Sequence, residues 1–451
     1  MDGRYSVKKR TGKGELELYF HIPFCVRKCL YCDFLSAPAD GETIGKYMEA
    51  LLAETVGSAL SYEDYTVSTV FIGGGTPSVA AVGDIERLLE AVGRCYRLDS
   101  AAEVTMEVNP GTVCGEMLAR LRSAGVNRLS IGLQSADDRE LAALGRIHTW
   151  GQFLDTYREA RRAGFRNINV DVMSALPGQT LSGYRRTLER ILSLEPPPEH
   201  ISAYSLILEE GTPFYEKNEK GLLDLPDEDT DREMYLATKE ILAREGYRRY
   251  EISNYAREGY ACRHNCGYWQ RKNYVGFGLG AASMVENVRF RNGADLQAYL
   301  QDPLACREEV QALSRREQME EFMFLGLRMT EGVDCGAFRR LFGCRMEDVY
   351  GEVLEKNIRE GLLERRRQPE DSGAAESVDG EAAAESADGE AAAESADGEA
   401  AAESADGEAA AESADGEAAG GEEEHCRSGE WVALTERGLD LSNHVMAQFL
   451  F

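Results

Sequence analysis

Three cysteines, Cys25, Cys29 and Cys32, fall within eight residues in the stretch ELELYFHIPFCVRKCLYCDF, residues 15–34. Their C-x3-C-x2-C spacing lets one loop present three thiolates to a single small inorganic centre. Cysteine runs of this density are the usual ligands of iron–sulfur clusters. Three thiolates are one short of a closed four-ligand site, so one metal position stays open to a substrate or cofactor. A structural zinc site would need a fourth ligand, which His21 could supply, although paired C-x2-C knuckles dominate such sites. A disulfide framework would leave one of the three cysteines unpaired. Eleven cysteines with no sign of secretion suit a reducing cytosol.

The element that presents these thiols is the apolar run Leu16–Ile22 immediately before them. Further short apolar runs follow at Thr69–Ile72, Val104–Val108, Arg128–Gly132, Ile168–Met173 and His200–Leu206, each trailed by a helical pattern. The alternation predicts parallel βαβ units whose strands are apolar because both faces are covered. Six such units suit a doubly wound sheet or an incomplete barrel. Both architectures place their functional residues at the carboxyl ends of the strands.

Polar residues stand at those ends. Gly73-Gly74-Gly75-Thr76-Pro77 closes the second strand, and its glycines allow backbone to approach a ligand. Glu107 closes the third in EVNPG, Gln134 the fourth with Arg146 following in GRIH, and Asp171 interrupts the apolar fifth run. A carboxylate at a buried strand end needs a polar partner. Each residue has a plainer reading: a loop glycine, an ion pair or helix cap for Glu107, a backbone donor for Asp171. Their recurrence at successive strand ends points to one shared ligand site.

The segments LYFHIPFCVRKCLYCDF, FIGGGTPS, EVNPGT, GVNRLSIGLQS, LGRIHT and DVMSALPGQT resemble the oxygen-independent coproporphyrinogen oxidase branch of the radical SAM superfamily. The resemblance covers about residues 15–365 and 430–451. It implies an α/β fold, a partial (β/α)6 TIM-like barrel, with Cys25, Cys29 and Cys32 holding a [4Fe–4S] cluster. The open iron would be chelated by S-adenosylmethionine. Matched position by position, it implies S-adenosylmethionine contacts from Tyr19, Gly74, Gly75, Thr76, Glu107, Gln134, Arg146 and Asp171.

Within that branch, two features resemble the haem-chaperone subgroup, HemW. Phe34 stands where the oxidases carry a further cysteine, and His264-Asn265-Cys266-Gly267-Tyr268-Trp269 forms an H-N-x-x-Y-W motif. The closing LTERGLDLSNHV is similar to that subgroup as well. This implies a protein that binds haem and delivers it to haemoproteins such as membrane-bound respiratory cytochromes, without coproporphyrinogen III oxidase activity. The rival reading is the oxidase itself, decarboxylating propionates by radical chemistry. His264 is the candidate haem ligand, with Tyr268 and Trp269 offering aromatic surface to a porphyrin. The alternative is a packed turn with His264 bonded to backbone. Cys262, His264 and Cys266 alternate and would share one face of an extended chain. Ala282 stands where relatives often have histidine.

The expected organisation is a flexible tail at 1–14, a barrel at 15–230 and a barrel extension carrying the motif at 231–305. A small helical, winged-helix-like domain follows from 306–368 and 430–451. Its expected features are hairpin strands at Leu362–Glu364 and Trp431–Leu434 and a buried helix face through Phe322, Leu325 and Met329. The insert at 369–429 holds four copies of EAAAESADG from Glu381 to Gly416 and is expected to be disordered. Segment 369–424 carries 20 acidic and no basic residues, leaving −9 of the net −29 for the rest. That balance argues against a nucleic-acid partner. The tail has no apolar core of a signal peptide, and no stretch approaches transmembrane length. The expected location is the cytoplasm, with peripheral contact to a membrane left open, as is the choice between monomer and dimer.

Overall fold

The computed structural model describes residues 13–367 and 429–450. The expected tail lies outside the described residues except for 13 and 14, and the acidic insert except for Gly429. Six parallel strands lie side by side in sequence order: β1 (Gly14–Ile22), β2 (Tyr65–Gly74), β3 (Arg97–Val108), β4 (Arg128–Gln134), β5 (Ile168–Ser174) and β6 (His200–Ser205). Parallel neighbours need long crossovers, and helices Gly41–Ser58, Val82–Cys95, Gly115–Ser123, Trp150–Arg162 and Leu181–Leu192 supply them. The result is the α/β partial (β/α)6 barrel.

The sheet does not close on itself. β6 is followed by the short antiparallel pair β7 (Arg248–Arg249) and β8 (Asn254–Ala256). On the other edge, β9 (Tyr274–Phe277) pairs in parallel with β1. Beyond it come β10 (Ala282–Val285), β11 (Val288–Asn292) and β12 (Arg307–Ala312), all antiparallel. β12 carries the sheet past the expected boundary at 305/306.

The strands differ from the expectation of two apolar faces. Leu16, Leu18, Phe20 and Ile22 of β1 pack outward against Tyr47 and Leu51 of the first helix. The alternate residues Glu17, Tyr19 and His21 turn the other way, as pleating requires. On β3 to β6 the corresponding inner face carries Glu103, Arg128, Asn169, Asp171 and Ser202. Barrel curvature explains this asymmetry, because the helix-covered side and the lumen are different environments.

The HNxxYW motif forms a helix, Arg263–Trp269, set below the lumen. The Glu103 carboxylate accepts the backbone N–H groups of Arg263 and His264, both at 3.3 Å. An anion at a helix amino terminus is favoured by the unpaired N–H groups there. A Cβ at Gly267 would meet the Glu17 carboxylate, so a larger residue there would require the Glu17 side chain to move. The extended-chain expectation for Cys262, His264 and Cys266 is therefore corrected. In a helix it is His264 and Tyr268, four apart, that share a face.

Helices Arg315–Gly326, Cys335–Phe342 and Met346–Arg359 build a second core with a small sheet. That sheet has the order β13 (Val333–Asp334), β15 (Glu430–Leu434), β14 (Leu363–Arg367). The buried stripe of the first of these helices runs Met319, Met323, Leu327 rather than through Leu325. Leu325 instead borders a cleft with Trp269 of the motif helix. β14 and β15 pair antiparallel from Leu363 with Leu434 to Arg367 with Glu430.

Because Arg367 and Glu430 are paired neighbours, the connection between them has little distance to span. Closure cost changes by only about 0.6 kcal/mol per doubling of connection length. Deleting residues 372–422 is expected to leave the thermal midpoint unchanged or slightly raised in a calorimetric scan. A lowered midpoint would show that the segment contributes to the fold.

Candidate functional site

The thiol loop is fastened at both sides. Cys25 N–H donates to Ala37 O at 3.2 Å and Ala37 N–H to Pro23 O at 3.0 Å. Across the loop, Leu30 N–H donates to Leu144 O at 3.0 Å and the Arg27 guanidinium to Gly145 O at 2.6 Å. Cys25, Cys29 and Cys32 thereby line one cavity with Gly74, Gly75, Thr76, Glu107, Gln134, Arg146 and Asp171. Of the residues singled out in the sequence, Tyr19 and His264 are not part of this lining.

A continuous run of hydrogen bonds links two of the thiols. Thr76 Oγ1 donates to Cys25 Sγ at 3.5 Å, and Asn109 Nδ2 donates to Thr76 Oγ1 at 2.7 Å. Arg146 Nη2 donates to Asn109 Oδ1 at 2.6 Å, and Arg146 Nη1 reaches Cys29 Sγ at 3.6 Å. Asn109 was not among the sequence candidates; its signal was the turn EVNPG after Glu107. A Cβ on Gly75 would stand 2.9 Å from Cys25 Sγ and 2.6 Å from Phe24 O, so no larger residue fits. Gly74 takes φ +117° and donates its N–H to Glu107 Oε2 at 3.1 Å.

Burial pushes Glu107 up to about 8, with the neighbouring Asp171 adding to the rise. Burial also raises Asp171, although Asn169 Nδ2 donates to it at 2.7 Å. Two carboxyls in this state are poised to receive a ligand's ammonium or hydroxyl groups, whose arrival would favour their charged forms. Gln134 has φ +73° at an irregularity in the β4–β5 pairing. Such backbone is costly for a residue with a side chain and clusters at binding sites.

His21 is committed elsewhere. Its Nε2 lies 2.9 Å from Leu35 O and its Nδ1 2.9 Å from the Tyr19 hydroxyl. The carbonyl assigns the proton to Nε2, so Nδ1 accepts from Tyr19 and no lone pair remains for zinc. Among the described residues, no three His, Cys, Asp or Glu side chains are arranged around a single ion. Thiolates that each take a separate iron stand farther apart than ligands of one ion. The all-thiolate set on one loop, with one side of the cavity open, fits a [4Fe–4S] cluster.

Below this site lies a lumen cavity of about 440 Å³ that shares Glu107, Ser130, Gln134 and Asp171 with it. Arg128 lines the cavity, is 2% exposed, and has an unpartnered Nε. No hydrogen bond or ion pair of its guanidinium occurs among the described residues. The nearby Glu103 and Asp171 favour its charge without touching it. Glu17, on the side of the motif helix, is fully buried with both carboxylate oxygens unpartnered, and burial pushes it up to about 9. Neither residue was visible as a site in the sequence, where each sat inside an apolar run.

His264 is 1% exposed. Its Nδ1 lies 2.6 Å from Thr69 Oγ1 and its Nε2 2.9 Å from the Tyr268 hydroxyl, while Phe71 stacks on the ring at 5.1 Å. Burial, helped by Arg128, holds its pKa down at about 3. The ring is neutral and both nitrogens are engaged by side chains, not by backbone as a packed turn would have it. Tyr19, Tyr268, Trp269, Tyr274, Ala282 and Met284 line a separate cleft of about 330 Å³. Tyr19 thus lines this cleft, while its hydroxyl bonds to His21 and the neighbouring Glu107 carboxyl acts on it electrostatically.

A parallel partial barrel with three thiols on the loop after β1 and a glycine turn after β2 defines a radical SAM protein. Residues 19–191 match the model of the Radical SAM superfamily, and residues 313–368 that of the HemN C-terminal domain. The Heme chaperone HemW of Lactococcus lactis is 40% identical over 351 residues, spanning 78% of this chain and 91% of that protein. The Heme chaperone HemW of Escherichia coli is 39% identical over 358 residues, spanning 77% and 91%. The solved structure of coproporphyrinogen III oxidase (HemN) from Escherichia coli aligns with TM-score 0.69 at 23% identity, over 79% of this chain and 86% of that one. That likeness shows a shared fold. The chain belongs to the HemW heme-chaperone family. Membership of the superfamily implies a [4Fe–4S] cluster and S-adenosylmethionine.

Glu17 supplies a pH test of the buried lumen. It keeps its proton up to about pH 9 when folded but releases it near 4.5 when unfolded. The folded state therefore binds more protons between those values, and stability falls as pH rises, by at most about 1.4 kcal/mol per unit. Glu17→Gln removes this loss. In urea melts the stability of the variant minus that of the wild type is expected to grow from pH 5 to pH 8. A difference independent of pH would mean that Glu17 is already ionised in the fold.

Proposed function

We propose that this protein binds haem and S-adenosylmethionine, the latter on a [4Fe–4S] cluster held by Cys25, Cys29 and Cys32, and delivers haem to haemoproteins. The observation that carries the reading is the placement of the HNxxYW helix. Its Asn265 reaches the lumen, while its Tyr268 and Trp269 line the aromatic cleft. Flat aromatic walls with Met284 beside them suit a porphyrin face. The family relatives named as heme chaperones support the same reading.

In this proposal Gly74, Gly75, Thr76, Glu107, Gln134, Arg146 and Asp171 hold S-adenosylmethionine, with Tyr19 acting through His21. Cleavage of the bound sulfonium by an electron from the cluster is the chemistry that such a pair supplies. The chain's own residues orient the ligand and exclude water. His264 serves as haem ligand only if Nε2 is released from Tyr268 and the ring is uncovered. The recipients would include membrane-bound respiratory cytochromes, reached from the cytoplasm by peripheral contact. No helix among the described residues is long and apolar enough to cross a membrane.

The second reading, oxygen-independent coproporphyrinogen III oxidase, has the shared fold and the polar lumen in its favour. Phe34 stands against it, 63% exposed at the position where the oxidases carry a cysteine. Anaerobic titration of the reconstituted protein with haem is expected to give saturable binding and a Soret band that shifts in His264→Ala. Coproporphyrinogen III is expected to yield no protoporphyrinogen. Binding untouched by the substitution would remove His264 as ligand, and turnover of coproporphyrinogen III would establish the oxidase.

A further inference from the structure

We propose that Arg128 anchors a carboxylate of a second ligand in the barrel lumen, and that this ligand is a tetrapyrrole entering carboxylate first. The choice of a tetrapyrrole rests on the haem reading above; the carboxylate anchor rests on the lumen itself. The Arg128 guanidinium is buried, faces the 440 Å³ cavity and makes no hydrogen bond or ion pair among the described residues, with its Nε unpartnered. Glu103 and Asp171 favour its charge electrostatically without hydrogen-bonding to it. Glu103 accepts from the motif helix backbone, and Asp171 accepts from Asn169.

A buried guanidinium is a planar fork of donors that matches a carboxylate in two parallel hydrogen bonds. A strand position that only needed filling would carry an apolar or neutral residue at less cost. The rest of the lining is suited to the same ligand. Neutral hydrogen-bonding groups, Ser130, Asn169, Ser202 and Asn265, line the cavity with the guanidinium, alongside the carboxyls of Asp33, Glu107, Asp171 and Glu209. At the mouth of the same cavity stand Phe34 and Ile207, exposed by 63% and 68%. A cation at the floor and apolar side chains at the rim describe a ligand with an anionic end and a broad apolar body.

The position of Arg128 also separates this site from the thiol site. Arg146, not Arg128, carries the contacts to Cys29 and Asn109, and Arg128 does not line the thiol cavity. The two cavities meet at Tyr31, Cys32, Phe34, Glu107, Ser130, Gln134 and Asp171, so a lumen ligand would lie next to whatever occupies the thiol site.

The test uses the full chain with its cluster reconstituted, titrated with haemin and with haemin dimethyl ester, in wild type and Arg128→Met. The wild type is expected to prefer the free acid by about tenfold or more, the value of one charge-assisted pair. Arg128→Met is expected to bind both forms alike, at the affinity the wild type shows for the ester. An equal preference for the free acid in both proteins would overturn the proposal. A wild type that binds neither form would overturn the haem reading and the tetrapyrrole occupant together. The anchor has its own readout in the thermal midpoint. Haemin is expected to raise that of the wild type more than that of Arg128→Met; an equal rise in both would overturn the anchor.

Discussion

The site depends on one run of polar contacts, Cys25 to Thr76 to Asn109 to Arg146 to Cys29. It crosses the ends of three adjacent strands and the loop after a fourth, so it exists only while β1 to β4 keep their parallel register. A slip of one residue in any of them would shift the loop that follows it and pull the participating side chain away from its neighbours. Gly75 matters for the same reason, since its missing side chain leaves room for Cys25 Sγ and the Phe24 carbonyl. Register, glycine turn and thiol loop are thus one arrangement.

The barrel spends stability inside its lumen that its outer face supplies. Outward residues of the strands pack into a continuous apolar core, while inward positions hold Glu17, Glu107, Arg128 and Asp171. Burial keeps the carboxyls towards their neutral forms, and Arg128 leaves its Nε without a hydrogen-bond partner. Charged and polar groups placed at such cost are characteristic of binding sites. The motif helix belongs to this balance. Glu103 holds its amino end, Gly267 lets it approach β1, and His264 joins it to β2 through Thr69.

Much of the fold and of the thiol site was legible in the sequence, for definite reasons. Strand and helix alternation is a local pattern, and the cysteines are eight residues of contiguous chain, so neither needs tertiary information. The strand-end residues Gly74, Glu107, Gln134, Arg146 and Asp171 could be read because a parallel fold puts all such ends on one side. Asn109 escaped because its role lies in joining Thr76 to Arg146, which is visible only in three dimensions. Arg128 and Glu17 escaped because a period of two inside a short apolar run looks like a strand edge until curvature separates its faces. Tyr19 was carried into the thiol site by position, whereas the structure turns it towards Tyr268 and the aromatic cleft. The motif around His264 was read as extended or as a turn; the helix is stabilised by Glu103, some 160 residues earlier in the chain.

The central claim is that the three thiols and the strand-end residues form a single site for a cluster with one iron open to S-adenosylmethionine. Electron paramagnetic resonance of the reduced, anaerobically reconstituted protein, before and after adding S-adenosylmethionine, tests it most directly. The expected result is a [4Fe–4S] signal whose g values move on addition, and no such signal when Cys25, Cys29 or Cys32 is replaced by Ala. A cluster signal that S-adenosylmethionine leaves unchanged, or one that survives loss of any of these cysteines, would contradict it.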